Sequence, residues 1–149
     1  MRAMALSTEA VGRTFAPHTY AVGREKIKEF ALATGETNPL HLDHRAARAA
    51  GYADVVAPPM FTVVYCATAF GEVLFDPEVG VNFARLVHSA QEFKWGPLVV
   101  AGDEIETAMS VTSISERAGN AFYRFESVST NQDGATVAVG IWDAIVRGE

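Results

Sequence analysis

The chain has 149 residues, of which 49% are hydrophobic, and its formal net charge at pH 7 is −6. This length and composition predict one domain over residues 1–149 with a sizeable hydrophobic core, and the negative charge argues against a nucleic acid as partner. Residues 1–14 contain no apolar run typical of a secretory signal, and the single cysteine, Cys66, cannot form an intrachain disulfide. We therefore expect a cytoplasmic protein.

The first third of the chain predicts one strand and two short helices. Residues 14–22 combine β-forming residues with a proline, which is typical of an edge strand. Residues 24–34 have the spacing of an amphipathic helix. A second helix is predicted over residues 43–50, with Asp43 as its N-cap.

A long apolar segment follows, and the rest of the chain has to be built around it. Residues 60–75 carry one charge, Glu72, and present apolar side chains in every direction. The pattern predicts a helix that is buried all round, with Pro58-Pro59 at its start and Asp76-Pro77 at its end. The segment is shorter than the roughly 20 apolar residues that cross a bilayer, so we expect a core helix and no membrane association.

The second half of the chain predicts an antiparallel meander. The predicted strands cover residues 86–95, 104–115, 121–130 and 136–146. The segments at 118–120 and 133–134 have the composition of hairpin turns.

The side-chain pattern of these strands assigns their faces. Alternation in the second strand places Ile105, Thr107, Met109 and Val111 on one face, and the last strand is expected to turn Val137, Val139, Ile141 and Ile145 to one face. Helices followed by an antiparallel meander indicate the α+β class, with a sheet wrapped around the apolar helix. Its open edges have to be covered or paired, so we expect a dimer with a continuous sheet.

The loop between the two short helices contains the candidate chemistry. Residues 35–42 include Pro39, which restricts the backbone, and place the carboxylate of Glu36 five residues before the imidazole of His41. Such groups form a matched acid and base near neutral pH, which addition or removal of water requires. On this local pattern alone, Glu36 as a solvated carboxylate and His41 as a polar residue flanking a helix remain an alternative. No Cys/His spacing is typical of zinc, and we expect neither a metal nor a cofactor.

Five of the twelve Lys and Arg residues fall within one 25-residue stretch. They are Arg24, Lys26, Lys28, Arg45 and Arg48. This group is either a solvated helix face or a surface that receives an anionic carrier or a phosphate.

The same loop resembles a known motif. Gly35-Glu36-Thr37-Asn38-Pro39-Leu40-His41-Leu42-Asp43, with Ala46-Ala47 and Gly51 after it, is similar to the hydratase motif of MaoC-like (R)-specific enoyl hydratases and dehydratases. Residues 5–12, 20–27, 55–61 and 99–103 extend the resemblance over nearly the whole chain. Within this family the chain is similar to the FAS1-like N-terminal MaoC branch. That branch includes the acyl-chain-binding subunits of two-chain (3R)-hydroxyacyl-ACP dehydratases.

The resemblance implies a hot-dog fold, in which a five-stranded antiparallel sheet wraps a long central helix, and it implies roles for particular residues. Glu36 and His41 would hold the water that is added to a trans-2-enoyl thioester or removed from a (3R)-hydroxyacyl thioester. Asn38 would support this pair, and the position of Pro59 would receive the thioester oxygen. The wall of the acyl tunnel would be formed by Met60, Phe61, Val64 and Tyr65.

Two departures from the family pattern bear on activity. Glu36 replaces an aspartate, and a shift of ~1 Å in a catalytic group can cost on the order of a hundredfold in rate. Pro59 replaces the glycine whose N–H binds the thioester oxygen, and proline has no N–H. Losing one such donor typically costs roughly 10²–10³ in turnover, unless the N–H of Met60 substitutes for it.

Three functions therefore follow from the sequence. The first is a dehydratase or hydratase with Glu36 and His41 as its acid/base pair. The second is a non-catalytic acyl-binding subunit that pairs with a catalytic hot-dog chain, and the third is a hot-dog thioesterase, for which no motif is present. In each case the expected ligand is an acyl thioester of CoA or of acyl carrier protein. The expected assembly is a homodimer or a heterodimer with a second hot-dog subunit.

Overall fold

The computed structural model describes residues 6–148 and shows a five-stranded antiparallel sheet with the strand order β1-β3-β4-β5-β2. The elements are β1 (His18–Ala21), α1 (Arg24–Ala33), α2 (Pro39–Leu42), α3 (His44–Ala49), α4 (Thr62–Phe75), β2 (Leu86–Trp95), β3 (Glu104–Arg117), β4 (Asn120–Thr130) and β5 (Thr136–Val146). This architecture confirms the α+β hot-dog class. Residues 1–5 and 149 lie outside the described residues. Ala5, the first residue of the stretch 5–12 that carries the resemblance, is among them.

The central helix begins and ends where the sequence predicts. A 3₁₀ turn over Pro59–Phe61 leads into α4, and Asp76 is its C-cap. Phe61 anchors this start in the core, because its ring packs edge to face against the rings of Tyr20, Phe30 and Tyr65. No helix among residues 6–148 is long and apolar enough to cross a lipid bilayer.

The prediction that the central helix is buried all round is wrong for the single chain. Tyr65, Cys66 and Ala69 are buried on the side that faces the sheet, where the Sγ atom of Cys66 lies 3.9 Å from Oγ1 of Thr107 on β3. On the other side Ala67 and Thr68 are exposed, and Phe75 at the helix end is 68% exposed. Glu72 is exposed on this side as well. One sheet covers only one side of a helix, so a side of α4 with both apolar and polar residues is left open.

The strands match the predicted meander closely. The turn between β3 and β4 consists of Ala118 and Gly119, which both have positive φ (51° and 77°); a tight two-residue hairpin that follows the twist of its strands requires this backbone. In β3 the predicted inner residues are buried: Ile105, Thr107, Met109 and Val111.

The prediction of which β5 residues face the core is largely wrong. Val137 is buried, but Val139, Ile141 and Ile145 lie half-exposed on the outer face, and the inner face carries Gly140, Trp142 and Ala144. The indole of Trp142 determines which face of β5 is turned towards the core. It stacks on Phe70 of α4 with ring centroids 4.6 Å apart and donates its N–H to Oγ of Ser127 at 2.9 Å.

Two further boundaries differ from the sequence-based expectations. The strand predicted over residues 14–22 is reduced to β1, at the edge of the sheet. The loop 35–42 is not irregular throughout, because α2 forms one helical turn within it. Asn38 caps this turn by accepting the N–H of Leu40 at 3.0 Å, which compensates for a donor that the helix start leaves unpaired.

We predict that Gly140→Ala destabilises the protein by about 1–3 kcal/mol, the usual cost of overpacking a core. A Cβ atom at position 140 would lie 2.5 Å from Oγ of Ser127 and 2.8 Å from both the Phe93 and the Trp142 rings. Urea unfolding measures the change. The matched control is Gly71→Ala in α4, where a Cβ atom meets nothing within 4 Å and the higher helix propensity of alanine should be neutral or stabilising. Equal effects at the two positions would contradict the packing around Gly140.

Candidate functional site

His41 is held in place by the segment that leads into the central helix. The N–H of Val56 donates to the carbonyl of Leu40 at 2.8 Å, and Nδ1 of His41 lies 2.6 Å from the carbonyl oxygen of Val56. Val56 itself pairs with Val100 in an isolated β-bridge. The short helix α2 is therefore fixed to the start of α4 through one residue.

This contact also determines the tautomer of His41. A carbonyl oxygen only accepts hydrogen bonds, so Nδ1 of His41 carries the proton in this contact. In the neutral ring, Nε2 then has the lone pair and can accept a proton from water or from carbon. His41 thus has the form that a general base requires.

Glu36 lies close to His41 in the sequence but is not bonded to it. It follows Gly35, which has a positive φ of 78°, and its backbone N–H donates to the carbonyl of Ala31 at 2.8 Å. Its side chain is half-buried. Within residues 6–148, no hydrogen bond or ion pair joins the carboxylate of Glu36 to the imidazole of His41. The loop places both groups in one segment and leaves each available to another partner.

A small apolar cleft opens at the start of α4, with a cavity volume of about 90 Å³. It is lined by Ala57, Pro58, Pro59, Thr62, Tyr65, Trp95, Gly96, Pro97, Leu98, Val99 and Val137. Two residues that the sequence suggests for substrate binding, Pro59 and Tyr65, contribute to this lining, whereas Glu36 and His41 do not.

The other four suggested substrate-binding residues lie elsewhere. Asn38 caps α2, and Phe61 is fully buried in the core. Met60 is 46% exposed and Val64 is half-buried on α4. None of them lines the cleft.

A hydrogen-bond network that the sequence analysis missed crosses this cleft. The indole N–H of Trp95 lies 3.0 Å from the carbonyl oxygen of Pro59 and 3.1 Å from Oγ1 of Thr62. The hydroxyl of Thr62 donates to the same carbonyl at 2.8 Å and lies 2.9 Å from the hydroxyl of Tyr65. Burial raises the pKa of Tyr65 to about 12, so the phenol is neutral near pH 7 and can donate to Thr62.

The network orients the peptide unit between Pro59 and Met60. This planar unit carries both the Pro59 carbonyl and the Met60 N–H, so the two donors on the carbonyl also fix the direction of the N–H. The Met60 N–H donates to no acceptor within residues 6–148. It is a donor without a described acceptor, one residue after Pro59 at the start of the central helix.

The basic stretch of α1 and α3 is largely paired with carboxylates. Nε and Nη2 of Arg24 bind the two oxygens of Asp54 at 2.9 and 2.6 Å, and Nη2 of Arg48 lies 4.0 Å from Asp54. Hydrogen bonding to Arg24 lowers the pKa of Asp54 to about 2. The remaining contacts are Lys26 with Glu29 and Lys28 with Glu25. Four of the five predicted basic residues therefore face a carboxylate, which favours a paired surface over a free anion-binding patch.

The fold is that of a hot-dog protein. The chain belongs to the FAS1-like dehydratase domain family, whose model matches residues 9–139. Known proteins also match along almost the whole chain. A UPF0336 protein of Clavibacter michiganensis is 44% identical and covers 98% of this chain and 99% of its own length.

Solved structures give the same assignment. The crystal structure of the C-terminally truncated HadBC complex, a (3R)-hydroxyacyl-ACP dehydratase of Mycobacterium tuberculosis, superposes with a TM-score of 0.81 at 29% identity; the alignment covers 94% of this chain and 99% of the matched one. A MaoC-like dehydratase has a TM-score of 0.81 at 31% identity; it covers 94% of this chain, which spans 43% of that protein. The suggested resemblance to the MaoC-like family is confirmed.

We predict that Asp54→Asn lowers the thermal stability of the protein at pH 7, because it removes the charged pair with Arg24. The folded-state pKa of Asp54, about 2, lies below the value of about 3.9 for an unfolded chain. The carboxylate therefore stabilises the folded state fully above about pH 4, and this contribution is lost as the pH falls towards 2. Thermal unfolding of both proteins between pH 7 and pH 3 measures the difference. A difference that stays constant or grows as the pH falls would contradict the ion pair.

Proposed function

We propose that the chain is a subunit of a (3R)-hydroxyacyl-thioester dehydratase or trans-2-enoyl-thioester hydratase, in which a second hot-dog chain supplies the complete catalytic set. One observation carries the proposal. The residue at the start of the central helix, where the family pattern has an N–H for the thioester oxygen, is Pro59, whose carbonyl is bound by Trp95 and Thr62. The similarity to a subunit of the two-chain HadBC dehydratase supports it.

The missing N–H at Pro59 and the longer side chain of Glu36 should affect the transition state more than substrate binding. Negative charge develops on the thioester oxygen during the reaction, and a preorganised N–H stabilises that charge. Pro59 provides none, and Glu36 carries its carboxylate on a longer arm than the aspartate of the family pattern. Interactions that exist only in the transition state determine turnover, so turnover should fall while binding is retained.

Two features support the binding of an acyl chain. The cleft at the start of α4 is lined mainly by apolar residues, and Phe75 at the end of α4 is 68% exposed. Each buried CH₂ group of a ligand contributes about 0.8 kcal/mol, so an acyl chain can bind here without any catalytic group.

One observation favours a second candidate, a self-sufficient hydratase. The bond from His41 to Val56 leaves Nε2 as the basic nitrogen, and Glu36 lies in the same loop. With the Met60 N–H as the donor to the thioester oxygen, the chain would have each required group.

We also propose that β2 pairs with a second hot-dog chain, either a copy of this one or its catalytic partner. This ten-residue strand forms one edge of the sheet, and a long open edge is a template for pairing. Trp95 on this strand is 48% exposed. Oε1 of Gln91 is buried without a donor within the described part of the chain, which a partner strand could supply.

We predict weak or undetectable hydration of a short trans-2-enoyl-CoA by the purified chain alone. Turnover should rise when a hot-dog partner that carries the aspartate, the histidine and the glycine donor is added. Pro59→Gly should raise the turnover of the chain alone by up to about 10²-fold, because it restores one oxyanion donor. Loss of the enoyl-thioester absorbance measures the rate.

The neighbouring proline provides the matched control, since Pro58→Gly changes the same segment without restoring the N–H at position 59. Equal gains from the two substitutions would show that backbone flexibility, not the donor, is responsible. Fast turnover by the unmodified chain that disappears in His41→Ala would establish the self-sufficient enzyme and defeat the subunit proposal.

We predict that light scattering of the purified chain gives twice the mass of one chain, or the mass of a heterodimer once the partner is present. The open edge of β2 would become covered in such a pair. A monomer under both conditions would contradict the proposed pairing.

A further inference from the structure

The turn at residues 100–103 is closed by the side chain of its last residue. The N–H of Asp103 donates to the carbonyl of Val100 at 3.2 Å, and the N–H of Val100 donates to Oδ2 of Asp103 at 2.9 Å. Gly102 has a positive φ of 98°, which a residue with a side chain adopts only under strain. Two reciprocal hydrogen bonds between the first and the last residue therefore hold this turn in one shape.

Both carboxylate oxygens of Asp103 accept hydrogen bonds, which an asparagine could not reproduce. Oδ1 accepts the side-chain amide of Gln132 at 2.9 Å, and Oε1 of Gln132 accepts the N–H of Glu104 at 3.0 Å. Asp103 is 8% exposed, and it forms no ion pair within residues 6–148. The side chain of an asparagine has only one oxygen, so one of these donors would lose its acceptor. The carboxylate is therefore matched to two neutral donors and not to a cation.

The same turn holds the start of the segment that carries the acid/base loop, residues 35–42. Val22, which lies two residues before α1, donates its N–H to the carbonyl of Asp103 at 2.9 Å and accepts the N–H of Gly102 at 2.9 Å. The turn therefore fixes the start of α1, and α1 leads directly into the loop with Glu36.

The other end of this segment is also bonded to the turn. Two backbone hydrogen bonds of 2.8 and 3.0 Å join residues 55–57 to residues 99–101. Between them, Val56 directs its own N–H and carbonyl to the opposite side, where they meet the carbonyl of Leu40 and Nδ1 of His41. A shift of the turn would therefore move Val56, and the acceptor of the His41 ring would move with it.

We propose that Asp103 is a positioning residue for His41, which it holds in the Nδ1-protonated form through the turn at residues 100–103 and the carbonyl of Val56. Its effect is indirect, because the Val56 carbonyl and not the carboxylate contacts the ring. This inference rests on the proposed function, since a positioned base matters only in a protein of the hydratase type. It also gives a reason to expect turnover from Pro59→Gly, because the base remains in place where the oxyanion donor is missing.

The imidazole ¹⁵N signals of His41 test this role without requiring turnover. In the unmodified chain the neutral ring should carry its proton on Nδ1, and His41→Ala identifies its signals among the four histidines. Asp103→Ala removes both acceptors, so the ring should also populate the tautomer with its proton on Nε2, because the hydrogen bond of one ring nitrogen selects the tautomer. Asp103→Asn keeps one acceptor and should give a smaller change. It also tests the role if the alanine variant does not fold.

Asp76→Ala is the matched control for lost stability. Its carboxylate also accepts a backbone N–H in a turn, that of Glu78 at 2.7 Å, but it lies at the end of α4, whereas His41 is fixed to the start. Urea unfolding should show a loss of stability in both alanine variants, and the His41 signals should change only in Asp103→Ala. Unchanged tautomers in both Asp103 variants, or an equal change in Asp76→Ala, would overturn the positioning role.

Turnover separates this role from the proposed function. In the Pro59→Gly chain, Asp103→Asn should lower kcat by up to about a hundredfold, the cost of misplacing a catalytic group by ~1 Å. KM should stay unchanged, since neither Asp103 nor His41 lines the cleft. A tautomer change in chains that show no hydration with any partner would retain the positioning role and reject the proposed function. Hydration at the same kcat in the Asp103 variants, with unchanged His41 signals, would do the reverse.

Discussion

The backbone of Val56 is the constraint on which the candidate site depends. Its N–H and carbonyl hold the turn that carries His41, and its bridge to Val100 connects that turn to the segment before β3. The carboxylate of Asp103 stabilises this segment by accepting the N–H of Val100 at 2.9 Å. Because the next residues start the central helix, the position of the acid/base loop and the position of the helix start are set together.

The start of the central helix is ordered by its prolines and by the hydrogen bonds to the Pro59 carbonyl. Two consecutive prolines restrict the backbone before α4, and the Pro59 carbonyl accepts hydrogen bonds from both Trp95 and Thr62. Trp95 is the last residue of β2, so the edge strand is bonded directly to the helix start. A chain that pairs with this edge as proposed would lie next to the cleft, and Trp95 would couple assembly to the site.

Most of the fold could be predicted from local pattern, and the errors have a common physical cause. Alternation in β3 and the turn at Ala118-Gly119 are local properties, and both were predicted correctly. The face of β5 was not, because apolar residues occur on both faces and the long-range stacking of Trp142 on Phe70 decides between them. The burial of α4 was overestimated because the sequence of one helix does not show how much of its surface one sheet can cover.

The candidate site was predictable only where its residues lie in one segment. The loop with Glu36 and His41, and Pro59 at the helix start, could be recognised from the sequence. The bond from His41 to Val56 joins residues 15 positions apart, and the bond from Trp95 to Pro59 joins residues 36 positions apart. No sequence spacing predicts such contacts, which form only after the sheet and the helix have packed.

The distribution of retained and altered groups separates binding from catalysis. The cleft, the open side of α4 and the edge strand provide apolar area and pairing, which an acyl-binding subunit needs. The altered positions, Pro59 and Glu36, are those that would stabilise charge or move a proton. A hydrophobic site tolerates such changes because its free energy depends on buried area, not on the direction of one donor. An oxyanion site does not tolerate them, because its contribution depends on a donor aimed at one atom. In the proposed subunit, the two departures from the family pattern would therefore weaken catalysis more than the binding of an acyl chain.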